Sequence, residues 1–115
     1  MKKVEYSLIV RQKLKNLRKD LTLRFGADVS RKSVKQITDA AKGLGMFENK
    51  GIAVSAMYDI ECDYRYLYVG HNYLFYRIEP DQIIIVEMFD EREDFMWKLF
   101  GIDTTSQESI DYWGE

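Results

Sequence analysis

Three strand patterns follow one another between Tyr64 and Met88, with connections too short for neighbouring strands to run anything but antiparallel. Tyr64, Tyr66 and Tyr68 share one face of the first strand, and Arg65, Leu67 and Val69 share the other. Side chains alternate across a strand, so this period of two is a sheet signal. Gly70-His71-Asn72 supplies a turn, and Tyr73 to Ile78 reads as the second strand. Glu79-Pro80-Asp81-Gln82 is a second turn, its proline presetting the backbone of the second position. Ile83 to Met88 is apolar except for Glu87, as expected of a strand covered on both faces. The expected product is a three-stranded antiparallel meander.

The N-terminal half changes period. Val4, Tyr6 and Leu8 alternate with Glu5 and Ser7, which predicts a short half-buried strand. Val10, Leu14, Leu17 and Leu21 then recur at helical spacing, with Lys13, Lys15, Arg18 and Lys19 between them. That is an amphipathic helix with a basic outer face, ending before Gly26. A second helix is expected from a cap at Asp28 or Ser30, with Val34, Ile37, Ala41 and Leu44 as its apolar stripe and Gly43 and Gly45 as its stop. Two helices so close in sequence predict an antiparallel hairpin. Residues 46–62 read mostly as loop with a short strand. A last short helix is expected from Glu91 to Phe100, ended by Gly101. The fold class is therefore α+β: one domain over residues 1–101, then an acidic, flexible tail over 102–115 that carries Tyr112 and Trp113.

A chain of 115 residues can bury one core without disulfides or metals. Cys62 and His71 are the sole residues of their kinds, so no internal disulfide or zinc site is available. Glu87, Asp90, Glu91, Glu93 and Asp94 cluster without such partners and are a weak metal signal. No phosphate loop, nucleophile elbow or CxxC pattern occurs, and no cofactor is expected. No apolar stretch approaches a membrane span, and the basic Met1-Lys2-Lys3 start is not followed by the core of a signal peptide. A cytoplasmic location is the expectation. The net charge of −2 hides a segregation: residues 1–50 hold 13 Lys and Arg against 5 Asp and Glu, whereas residues 51–115 hold 4 against 14. Such segregation implies either pairing across the domain or a charged partner.

The order of elements resembles the RelE/ParE superfamily of plasmid-stabilisation toxins. The closer likeness runs from Tyr64 to Gly101: Arg65 in a strand, the turn Gly70 to Asn72, the tyrosine-rich strand Tyr73 to Arg77, the acidic turn at Pro80-Asp81, the aliphatic Ile83 to Val86, and Arg92-Glu93-Asp94. The resemblance implies the toxin of a type II toxin–antitoxin pair, held inactive by a cognate antitoxin. One branch cleaves messenger RNA on the ribosome without a metal; the other binds and poisons DNA gyrase.

If this chain were a nuclease, Arg65, Arg77 and Arg92 would be its expected catalytic cations, since cleavage needs positive charge at the phosphate. Leu74 stands after Tyr73 where the nuclease branch carries an arginine. Asp90 and Glu91 replace a basic or histidine position, Met96 stands near a frequent tyrosine, and the sequence pI is near 5.5. Affinity for RNA rests on phosphate contacts, so these departures favour the gyrase-poison reading. A third reading is a non-toxic interaction module on the same fold. Arg11, Lys15, Arg18, Tyr73 and Tyr76 are the expected target- or antitoxin-binding residues.

Overall fold

A computed structural model of the chain describes residues 1–58 and 61–93. Strand β1 (Lys3–Tyr6) leads into helix α1 (Leu8–Phe25), then α2 (Ala27–Gly43), strand β2 (Ile52–Ala53), short helix α3 (Val54–Tyr58), and strands β3 (Tyr64–Val69), β4 (Asn72–Ile78) and β5 (Gln82–Asp90). The five strands form one sheet in the order β1-β5-β4-β3-β2. The expected meander is present: β3 pairs antiparallel with β4, and β4 with β5. β5 lies inside the sheet because β1 joins its far edge in parallel, Val4 opposite Ile83 and Tyr6 opposite Ile85. The sheet is thus mixed.

Ser7 is where strand becomes helix. Its hydroxyl accepts a hydrogen bond from the Val10 amide at 3.2 Å and donates one to the Val86 carbonyl at 3.1 Å. The backbone is extended at this N-cap, and the hydroxyl satisfies an amide that the first turn leaves open. Leu8 therefore belongs to the helix rather than to the expected strand, and it is 83% exposed. Gly26, with φ at 96°, separates α1 from α2 as a single residue. It also replaces the expected cap at Asp28 or Ser30. Ser30 is instead buried, its hydroxyl donating to the Arg18 carbonyl at 2.9 Å and fastening the two helices together.

The helices cover one face of the sheet. Val10, Ile37, Ala41 and Leu44 pack on Leu74, Tyr76, Ile83, Ile85 and Met88. The opposite face carries a second cluster of Val54, Tyr66, Phe75 and Phe89. Where a loop with a strand was expected, residues 46–58 contain both a two-residue strand and the five-residue α3. Glu91 to Glu93 form a turn and a bend at the end of β5, not the start of the expected last helix; residues 94–100 of that helix, and the tail over 102–115, lie outside the described residues.

Candidate functional site

The strand register decides which of the expected cations can act together. Tyr64 lies opposite Arg77, and Arg65 opposite Tyr76. Residues directly across a pair share a face. Arg65 therefore sits on the helix-covered face with Tyr76, and Arg77 on the other face with Tyr64. Arg92 follows β5, whose Asp90 pairs with Asn72 at the opposite end of β4 from Arg77. Five residues of strand separate those ends, about 17 Å. The three arginines occupy two faces and two ends of the sheet.

Each is also engaged. Arg65 Nη2 donates to the Gly51 carbonyl at 2.8 Å and the Asn49 carbonyl at 3.2 Å, clamping the loop before β2. Arg77 Nη2 meets Glu79 Oε2 at 2.9 Å. The Glu79 carboxyl lies below its usual range, first because Gln82 donates to it and then because Arg77 does. Arg92 Nε meets Asp90 Oδ1 at 3.1 Å on an open turn. The Arg92 amide, more than its side chain, holds the Asp90 carboxyl below its usual range.

Tyr76 is fully buried, with its hydroxyl donating to the Glu48 carbonyl at 2.7 Å and accepting from the Gly51 amide at 2.9 Å. It holds the core together and offers no surface. Tyr73 is half-buried, its ring 5.2 Å from that of Tyr68 and 5.6 Å from that of Tyr66. Arg11, Lys15 and Arg18 lie at spacings of four and three along α1, which place them on one helical stripe. All three are exposed. Arg11 makes a loose pair with Glu5 at 3.5 Å.

Two groupings go beyond the expected sites, and the first departs from the expectation that Lys13 lies on the basic outer face of α1. Lys13 turns inward from the same helix: its ammonium meets Glu87 Oε1 at 2.7 Å and the Met88 carbonyl at 2.8 Å, and lies 4.3 Å from the centre of the Phe89 ring. Its signal was available, since Glu87 alone interrupts an apolar strand and a buried carboxylate needs a partner.

The second grouping is at the β3–β4 turn. Gly70 and His71 both have positive φ, 56° and 64°, the backbone of a tight hairpin turn. Glu91 Oε1 accepts from the Tyr68 hydroxyl at 2.8 Å and lies 2.7 Å from His71 Nδ1. These bonds, Tyr68's first, hold the Glu91 carboxyl below its usual range, and the same carboxylate pushes the Tyr68 phenol up. Beside them runs a groove of about 400 Å³ lined by Leu17, Leu21, Arg24, Ile37, His71 and Arg92.

Among the described residues no three His, Cys, Asp or Glu side chains come together as metal ligands, and no helix is long and apolar enough to cross a membrane. A helical hairpin on a five-stranded mixed sheet, with a cationic helix face turned outward, fits the RelE/ParE class of small toxins that the sequence resembles. The model of the family described as the ParE toxin of the type II toxin–antitoxin system parDE matches residues 4–95, and the chain belongs to that family. No curated protein matches the chain. A solved structure of the chromosomal ParDE toxin–antitoxin system from P. aeruginosa is similar in fold, with a TM-score of 0.65 and 16% identity over 78% of this chain and 96% of that one.

Proposed function

We propose that this protein arrests growth by binding an essential target, in the manner of a gyrase poison, and that a cognate antitoxin neutralises it in the cytoplasm. The observation that carries this reading is the separation of Arg65, Arg77 and Arg92 across two faces and two ends of the sheet. Phosphodiester cleavage requires cations preorganised around one phosphate. Three arginines so placed, with two holding loop or turn structure, serve the fold instead. Inhibition by binding needs only a complementary surface, and the stripe of Arg11, Lys15 and Arg18 supplies an exposed cationic one.

The test is tightly controlled expression in bacteria, reading growth together with messenger RNA 5′ ends and the supercoiling of a reporter plasmid. Growth arrest with intact messages and altered supercoiling is expected. Codon-phased new 5′ ends would replace this reading with the ribosome-dependent nuclease. Normal growth would leave the interaction module.

A further inference from the structure

We propose that residues 102–115 of this chain dock on the exposed face of α1, as a resident occupant of its cationic stripe. The stripe is the surface proposed for target binding, so the tail would compete with a target there; the experiment below reads the tail's contact alone and leaves that reading to its own test.

Arg11, Lys15, Arg18 and Lys19 are all exposed along this face of α1. Among the described residues Arg11 has one loose partner, Glu5, and Lys15, Arg18 and Lys19 make no ion pair. Like charges one turn apart repel, so the stripe carries an unfavourable self-energy that an anionic segment relieves. Leu8 at 83% exposure and Leu23 at 87% flank the stripe at the two ends of the helix. Fifteen residues of helix separate them, about 22 Å. A cationic track between two open leucines suits an occupant that is acidic and carries large apolar side chains at intervals.

Residues 102–115 have that chemistry. They hold Asp103, Glu108, Asp111 and Glu115 with no lysine or arginine, and they carry Ile102, Ile110, Tyr112 and Trp113. Fourteen residues reach about 46 Å when extended, enough to follow the whole helix. The segment lies beyond the family match, which ends at residue 95. The attachment point suits the contact: Arg92 lines the same groove as Leu17, Leu21 and Arg24 of α1. The nine backbone steps from Glu93 to Ile102 span up to about 30 Å. A tethered segment also gains from its high effective concentration, so a weak contact suffices.

The experiment uses the full chain. Amide spectra of the wild type are compared with those of Asp103→Asn/Glu108→Gln/Asp111→Asn/Glu115→Gln. Carbodiimide coupling of the wild type, which joins an ammonium to a carboxylate in direct contact, is mapped by mass spectrometry. The expected result is a set of shift changes concentrated on residues 8–23, reproduced in the wild type by high salt, with couplings from Lys15 or Lys19 to carboxylates of residues 103–115 within monomers. Unchanged α1 amides together with no such coupling would overturn the proposal. Couplings confined to a concentration-dependent dimer would overturn it too, because a second copy would then be the occupant.

Discussion

The Tyr76 hydroxyl accepts a hydrogen bond from the Gly51 amide at 2.9 Å and donates one to the Glu48 carbonyl at 2.7 Å. One side chain of β4 thus fastens both sides of the loop that leads into β2. Tyr76→Phe keeps the ring and removes both bonds, leaving a buried amide and a carbonyl without their partner. The expected cost is about 1–3 kcal/mol, seen as a lower urea midpoint with an unchanged slope. Gly51→Ala should cost more: its Cβ would lie 2.6 Å from both the Tyr66 carbonyl oxygen and the Tyr76 hydroxyl, and the carbonyl belongs to a paired strand that cannot step aside.

Lys13 and Glu87 form the other inward contact between a helix and the sheet. Glu87 keeps only 15% of its side-chain exposure, so Lys13→Met strands a carboxylate that is mostly shielded from water. The expected loss is about 1–3 kcal/mol, below the figure for a fully buried pair because Lys13 itself stays partly solvated. Adding Glu87→Gln to Lys13→Met should recover part of it. Equal and additive losses in the two single variants and the double would show that the pair is not coupled.

These two contacts also show how far the sequence could be read. Period-two alternation and tight turns made β3, β4 and β5 legible, because both signals are local. The parallel joining of β1 to β5 was not, since nothing near residue 4 refers to residue 83. Alternation sorts side chains into two faces without saying which one the helices cover, so it leaves Tyr76 among the binding candidates although its side chain is core. The opposition of Arg65 and Arg77 was within reach, because a two-residue turn sets the register of β3 and β4 and register sets the faces. Helix α3 follows a two-residue strand with no turn signal between them, which left residues 46–62 without a clear period.

Acid should loosen the β3–β4 turn. Glu91 and Asp90 both have their carboxyls held below the usual range, by the Tyr68 hydroxyl first and by the Arg92 amide first, respectively. The folded chain therefore binds fewer protons at these sites than the unfolded chain does. Their contribution is complete above the ordinary carboxylate range and is lost as pH falls through the lower folded values. The melting temperature of the wild type should fall more steeply below about pH 4 than that of Glu91→Gln. Parallel curves for the two proteins would count against a role for Glu91 in the turn.

Arginine substitutions separate structural from catalytic duty. Arg65→Ala removes two hydrogen bonds to the loop at Asn49 and Gly51 and should destabilise by about 1–3 kcal/mol. Arg92→Ala, at a side chain 86% exposed, should stay within about 0.5 kcal/mol of wild type. Under a binding mechanism, growth arrest per folded molecule survives Arg77→Gln and Arg92→Ala. Loss of about a hundredfold or more with intact stability would instead mark a cation acting in a cleavage step.

The α1 stripe gives the sharpest functional prediction. Arg11→Gln/Lys15→Gln/Arg18→Gln removes three exposed charges whose one described pairing is the 3.5 Å contact with Glu5, so the melting temperature should barely move. Exposed cations act at a distance by steering an oppositely charged partner, which raises the association rate more than it slows dissociation. Against the cognate antitoxin, the triple variant should associate about tenfold more slowly at low salt, with little change in the dissociation rate. That difference should shrink as ionic strength rises toward about 0.15 M, where the screening length falls to about 8 Å. An association rate that is unchanged at low salt would move the partner's docking surface off α1. The groove between Leu21 and His71 would then be the next surface to probe, because it borders the same helix while its Arg24 is already paired with Asp20.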